Sequence, residues 1–98
     1  MPMKLQIVNA TERCRFEATV EGEVAFAAYR LEDGVMNMYH TSVPPHLEGR
    51  GIAGQLVAAA AEFARTHLLK IEPACSYVAR YFVKHPGLSD LRAANRPD

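Results

Sequence analysis

The chain has 98 residues, of which 49% are hydrophobic and 22% charged, and its 11 basic residues balance its 11 acidic ones. This length predicts a single domain over residues 1–98, which we expect to be a monomer or a weak homodimer. Because these numbers are equal, the chain lacks the excess of basic residues that is typical of proteins that bind nucleic acids or anionic membranes.

No apolar run approaches the roughly 20 residues that cross a bilayer, and Met1–Lys4 does not begin a secretion signal. We therefore expect a cytoplasmic protein with free thiols at Cys14 and Cys75. The four histidines have no metal-ligand spacing with these cysteines, so no metal site is predicted.

Four strands are predicted in the first half of the chain. Lys4–Asn9 alternates apolar and polar residues, and Arg13–Glu21 shows the clearest period of two. Val24–Leu31 is apolar on both faces of the strand. Asp33-Gly34 then predicts a tight turn that leads into a fourth strand, Val35–Val43. These segments predict an antiparallel meander.

The second half changes to a helical period. Apolar residues at helical spacing predict a helix over Ile52–Leu69, and Leu69–Ile71 predicts a fifth strand. Ser76 is a candidate N-cap for a second helix that stops at His85-Pro86-Gly87. We expect the polar tail, residues 90–98, to be frayed. The order β-β-β-β-α-β-α predicts an α+β fold with a mixed, mostly antiparallel five-stranded sheet and two helices.

Gly49-Arg50-Gly51-Ile52-Ala53-Gly54 lies between the fourth strand and the first helix. Its glycines allow close approach of the backbone to a ligand, and the helix that follows offers unpaired amides and a positive dipole end. These features predict a phosphate-binding loop.

The loop also satisfies the dinucleotide pattern G-x-G-x-x-G, with Glu72 as a candidate ribose ligand. A dinucleotide fold places this pattern after its first strand, whereas four predicted strands precede it here. We therefore disfavour a dinucleotide. A Walker P-loop is excluded because the chain has no Gly-Lys-Ser/Thr.

The order of elements and the loop together resemble the GCN5-related N-acetyltransferase family. The acyl-CoA loop of that family reads Gln/Arg-x-x-Gly-x-Gly/Ala, and His46-Leu47-Glu48-Gly49-Arg50-Gly51 fits it except at His46. The likeness is greater to a short branch of the family, often called small or YjdJ-type, and covers about Val24 to Leu91. Its motifs stand here as His40–Pro45, Gly49–Ile52, Pro73–Val78 and Lys84–Pro86.

The resemblance implies that acetyl-CoA lies between splayed fourth and fifth strands. The main chain near Thr41 and Val43 would then pair with the pantetheine arm, although ordinary sheet pairing is an equal alternative. Tyr77 and Lys84 are further candidate contacts, Lys84 alternatively being an ordinary cation at a helix end. The pyrophosphate would be held by the loop, that is by Gly49, Arg50, Gly51, Ile52, Ala53 and Gly54, with an added contact from the Arg50 side chain.

Cys75 is the first catalytic candidate that the resemblance implies. It follows the fifth strand and precedes the second helix, whose dipole lowers a thiol pKa, so a thiolate there can accept the acetyl group covalently. Alternatively, Cys75 is a small buried thiol that lines the pocket while the amine attacks directly. Cys14 is expected in the core.

The acid and the base are less clearly marked. Many relatives protonate the departing CoA sulfur with a tyrosine in the last helix, but that position holds Phe82, which leaves Tyr81 or Tyr77 as candidates. His40 is a candidate general base, with a hydrogen-bonded histidine on a sheet face as the favoured alternative.

The sequence therefore predicts an acetyl-CoA-dependent N-acetyltransferase. Its acceptor would be a primary amine on a small molecule or a lysine side chain. The alternative is a CoA-binding module without turnover that acts as a sensor or interaction partner.

Overall fold

An antiparallel meander followed by a helix–strand–helix segment forms the fold. The computed structural model describes residues 5–93. The strands are β1 (Val8–Ala10), β2 (Arg15–Val20), β3 (Glu23–Glu32), β4 (Val35–Ser42) and β5 (Lys70–Pro73), and the helices are α1 (Ile52–Thr66) and α2 (Ser76–Lys84). Short 3-10 helices cover Thr11–Arg13, Pro45–Leu47 and Pro86–Leu91.

The five strands form one sheet in the order β1-β2-β3-β4-β5. Each neighbouring pair from β1 to β4 is antiparallel, whereas β4 and β5 are parallel. The predicted α+β class, with its mixed sheet and two main helices, is therefore confirmed.

A bulge interrupts β4 near its middle. Met38 pairs with Tyr29 of β3, and Ala28, the residue before Tyr29, pairs with His40. Tyr39 lies between these two pairs and is therefore the extra residue of the bulge. Such an insertion bends the strand and increases its twist. The bulge lies next to the last residue of β4 that pairs with β5, which is Met38.

One apolar core joins the sheet to both helices. The period of two in β2 buries Phe16, Ala18 and Val20 as predicted, and Met36 and Met38 of β4 are fully buried beside them. Alpha helix α1 contributes a stripe at helical spacing, and α2 adds Val78 and Phe82. The α1 residues in this core are Ile52, Leu56, Val57, Ala60, Ala61 and Ala64.

The prediction of a core position for Cys14 is wrong. Cys14 is exposed, with φ +53° at the end of the 3-10 helix Thr11–Arg13. Strand β2 begins only at Arg15. Because the short helix breaks the alternation one residue before the strand, Cys14 does not share the buried face of Phe16.

Several boundaries also differ from the predicted ones. The N-cap of α2 is Cys75, not Ser76, and β1 spans only Val8–Ala10, while Lys4 lies outside the described residues. The expected frayed tail instead begins with an ordered turn, in which Leu91 is only 4% exposed and Arg92 bridges to Ile71. Residues 94–98 lie outside the described part. No helix among residues 5–93 is long and apolar enough to cross a membrane.

Helix α1 ends at Thr66, three residues before the predicted Leu69, in a Schellman motif. The Leu69 N–H donates to the Ala64 carbonyl at 2.8 Å, and the Leu68 N–H donates to the Arg65 carbonyl at 3.4 Å. Leu68 occupies the left-handed position of the motif, with φ +57°, and its side chain is 91% exposed. A glycine usually fills this position because a Cβ is disfavoured there.

Leu68→Gly is therefore expected to stabilise the protein by about 1 kcal/mol, the cost of a left-handed L-residue, because little packing is lost. Thermal unfolding followed by circular dichroism measures the effect. Leu68→Ala is the matched control: it removes the same exposed side chain but keeps the Cβ, so its melting temperature should stay close to that of the wild type. A Leu68→Gly protein no more stable than Leu68→Ala would contradict this explanation.

Candidate functional site

Strands β4 and β5 part halfway along β4. Their pairing runs from Val35–Lys70 to Met38–Pro73, and the Cys75 N–H donates to the Met38 carbonyl at 2.9 Å. Beyond this point β4 continues to Ser42, which pairs with β3. On the β5 side, the second half of β4 thus presents a strand edge to which an extended ligand can add.

A cavity of about 470 Å³ lies beside this edge. Seven of the ten predicted cofactor contacts line it, from β4, the glycine loop and both helices. The full lining is Thr41, Val43, Leu47, Glu48, Gly49, Gly51, Ile52, Ala53 and Tyr77. Leu47 and Glu48 were not predicted, because they occupy variable positions of the loop motif, where residue type carries no signal.

The loop backbone is arranged to bind an anion. Gly49 and Gly51 have φ of +84° and +78°, and Gly51 is the N-cap of α1. The Gln55 N–H is the first to donate within the helix, to the Gly51 carbonyl at 3.1 Å. The amides of Ile52, Ala53 and Gly54 come earlier, where an α-helix offers no carbonyl partner, so they suit an anionic ligand.

Gly54 lies where the first turn of α1 meets α2, a contact that the sequence did not indicate. A Cβ on this residue would stand 3.5 Å from Cε2 of Tyr81 and 3.6 Å from the hydroxyl of Tyr77. Both are ordinary van der Waals distances, so the packing of the two tyrosines against α1 leaves space for a methyl group here.

The predicted cationic contacts lie away from the cavity. The Arg50 guanidinium is 2.7 Å from a carboxylate oxygen of Glu21, in the turn between β2 and β3. Lys84 is exposed in the last turn of α2. Neither Arg50 nor Lys84 is a lining residue.

Cys75 lies where the two strands part. It is the N-cap of α2, is half-buried, and its Sγ is 3.7 Å from the Thr41 hydroxyl, which lines the cavity. Burial raises the pKa of the Cys75 thiol, but the backbone amide of Val78, the Thr41 hydroxyl and the amide of Tyr77 lower it, and the net pKa is below the ordinary value. The site therefore favours a thiolate, the reactive form of cysteine.

Two tyrosines of α2 border the same region. The ring centroids of Tyr77 and Tyr81 are 6.5 Å apart, and burial raises the pKa of both phenols. Both are therefore protonated at neutral pH and can act as proton donors. Phe82, which holds the position where relatives have a tyrosine, is only 5% exposed and belongs to the core.

His40 is separated from this group by the geometry of the strand. Successive strand residues point to opposite faces of a sheet, so the Thr41 side chain faces the cavity while His40 faces away. The His40 ring lies 5.7 Å from that of Phe26. The structure thus brings together Cys75, Thr41 and Tyr77 but not His40.

The fold agrees with the comparisons with known proteins. Residues 15–91 match the GCN5-related N-acetyltransferase family, so the chain belongs to that family. A GCN5-like protein from Staphylococcus aureus, whose structure was solved in solution by NMR, has the same fold. The TM-score is 0.74 at 26% identity, covering 94% of this chain and 91% of that one.

Vertebrate relatives are also found. Protein NATD1 of Gallus gallus is 36% identical over 85 residues, which cover 84% of this chain and 77% of that protein. Protein NATD1 of Homo sapiens is 36% identical over 52 residues, which cover 53% of this chain and 46% of the human protein. The matched region is thus about half of the human protein.

Thr41→Val is expected to raise the pKa of Cys75, because the hydroxyl that stabilises the thiolate is lost. The rate of alkylation by iodoacetamide, measured across pH in a Cys14→Ser background, should then shift to higher pH. Thr41→Ser keeps a hydroxyl and should retain the wild-type profile. Identical profiles for the valine and serine variants would show that Thr41 does not tune the thiol.

Proposed function

We propose that the protein binds acetyl-CoA in the cavity beside β4 and transfers the acetyl group to a primary amine. The observation that carries this proposal is the half-buried Cys75 thiol, 3.7 Å from the Thr41 hydroxyl, at the point where β4 and β5 part. Membership of the GCN5-related family supports acyl-CoA as the ligand.

The ligand would lie along three parts of the site. The amides at the start of α1 would bind the pyrophosphate, and the open edge of β4 near Thr41 and Val43 would pair with the amides of the pantetheine arm. The thioester would then reach Cys75, past the apolar wall that Leu47 and Ile52 contribute to the cavity.

The transfer would take two steps. The Cys75 thiolate attacks the thioester carbonyl, so that an Sγ–acetyl bond forms and the bond to the CoA sulfur breaks. Tyr81 or Tyr77 donates a proton to the departing CoA thiolate. A neutral amine then attacks the acetyl-cysteine and loses one proton to the tyrosinate left by the first step, which releases the amide product and restores both the Cys75 thiolate and the protonated tyrosine. His40 takes no part, since it lies on the other face of β4.

Intact-mass spectrometry after incubation with acetyl-CoA tests the covalent step. A Cys14→Ser protein should gain about 42 Da, one acetyl group in place of a hydrogen, and a Cys75→Ala protein should gain nothing. Addition of a panel of amines and lysine peptides should then remove the adduct from the first protein and yield an acetylated amine.

The outcomes of this experiment separate the candidate functions. Acetylation of an amine by Cys75→Ala at the wild-type rate would show direct transfer and refute the acyl-enzyme. CoA binding with neither adduct nor acetylated amine would favour a CoA-binding module that acts as a sensor. An absence of CoA binding, measured by calorimetry, would refute both functions.

Two glycine substitutions separate the backbone role of the loop from packing. Gly51→Ala places a Cβ at φ +78°, so we expect a loss of about 1 kcal/mol of stability and weaker CoA binding. Gly54→Ala keeps the amide, meets only ordinary contacts and should stabilise α1 by roughly 0.5–1 kcal/mol. Calorimetry and thermal unfolding measure both variants. Stronger binding by Gly51→Ala would contradict the phosphate loop.

A further inference from the structure

One ion pair and one histidine–carboxylate contact connect the β2–β3 turn to the segment between β4 and α1. Nη1 of Arg50 is 2.7 Å from Oε2 of Glu21, and Nε2 of His46 is 2.6 Å from Oε2 of Glu23. We call these four residues the loop clasp. In the sequence, His46 and Arg50 of the clasp flank Leu47–Gly49, three residues that line the cavity.

The carboxylate half of the clasp belongs to the hairpin of β2 and β3. Val20 pairs directly with Glu23, so Glu21 and Gly22 form a two-residue turn, and both have positive φ, +52° and +80°. Asn, Asp and Gly are the residues that usually begin such turns. A glutamate therefore occupies a left-handed turn position at which residues of its type are disfavoured. This indicates a role for the Glu21 side chain.

In the other half of the clasp, His46 belongs to the 3-10 helix Pro45–Leu47, whereas Arg50 lies in the glycine loop. Arg50 lies between Gly49 and Gly51, which both have positive φ, and no atom would contact a Cβ on Gly49. Glycine gives the backbone wide conformational freedom, so a side-chain contact made by Arg50 can restrict the conformations of this loop. The Arg50 side chain extends out of the cavity to Glu21, while Gly49 and Gly51 line the cavity.

We propose that the loop clasp is a positioning device for the phosphate-binding loop. It holds the amides after Gly49 in their binding arrangement before the ligand arrives, so that less conformational entropy is lost on binding. Arg50 then acts on the cofactor through Glu21, not as a direct phosphate ligand. This inference rests on the proposed function, because the ligand in question is CoA.

A double-mutant cycle on CoA affinity tests this role. Exposed ion pairs are individually weak, so Glu21→Gln and Arg50→Gln should each weaken CoA binding by only about two- to fivefold. The double variant should bind like either single variant, since both break one contact. Glu32→Gln, an exposed carboxylate beside the β3–β4 turn, makes the same charge change and should bind CoA as the wild type does.

Two results would overturn the proposal. Tighter CoA binding by Glu21→Gln would show that Glu21 competes with the phosphate for Arg50. Alternatively, Arg50→Gln could lower CoA affinity more than tenfold, with the same loss in the double variant and no change in Glu21→Gln. That result would make Arg50 a direct ligand.

A measurement without ligand keeps the inference separate from the proposed function. Nitrogen-15 relaxation of the free protein should show lower order parameters at Gly49, Arg50 and Gly51 in Glu21→Gln than in Glu32→Gln. Unchanged order parameters would refute the clasp even if CoA binds. If the wild-type protein does not bind CoA, the proposed function fails, and lower order parameters in Glu21→Gln would still support the clasp as a restraint on the loop.

Discussion

The separation of β5 from β4 after Met38 is the constraint on which the rest of the site depends. Pro73 is the last paired residue of β5, and it has no N–H with which to extend the ladder. The Ala74 N–H then donates to the Glu72 carbonyl at 2.9 Å, which turns the chain out of the sheet. On the other strand, the bulge at Tyr39 bends β4 at the same level.

Two helix N-termini meet at the gap that this separation opens. Helix α1 begins after Gly51 and directs its first amides at the cavity, while α2 begins after Cys75, whose thiol pKa is lowered by the amides of Val78 and Tyr77. One dipole thus suits an anionic group in the cavity and the other suits a thiolate. The two helices meet at Gly54, where Tyr77 and Tyr81 of α2 lie against the first turn of α1.

Local patterns predicted most of the fold and the position of the glycine loop that lies beside the cavity. The alternation in β2, the Asp33-Gly34 turn and the helical stripe of α1 each depend on neighbouring residues, so they are visible in the chain. Prediction failed where a contact distant in sequence or an unmarked backbone angle decided the outcome. Cys14 turned outward at a 3-10 helix, α1 ended at a left-handed Leu68 without a glycine, and Leu91 was buried by the rest of the fold.

The sequence by itself determined the order of the elements, the family, and the place of the glycine loop at the start of a helix, because spacing and residue type along the chain encode them. Only the tertiary structure decided which side chains meet. It brought Thr41 to Cys75, turned His40 to the opposite face of the sheet, and paired Arg50 with Glu21. Thr41 and Cys75 are distant along the chain, as are Glu21 and Arg50, so their contacts depend on the tertiary fold. The register of β4 decides which of its side chains face the cavity, and a local sequence pattern does not specify that register.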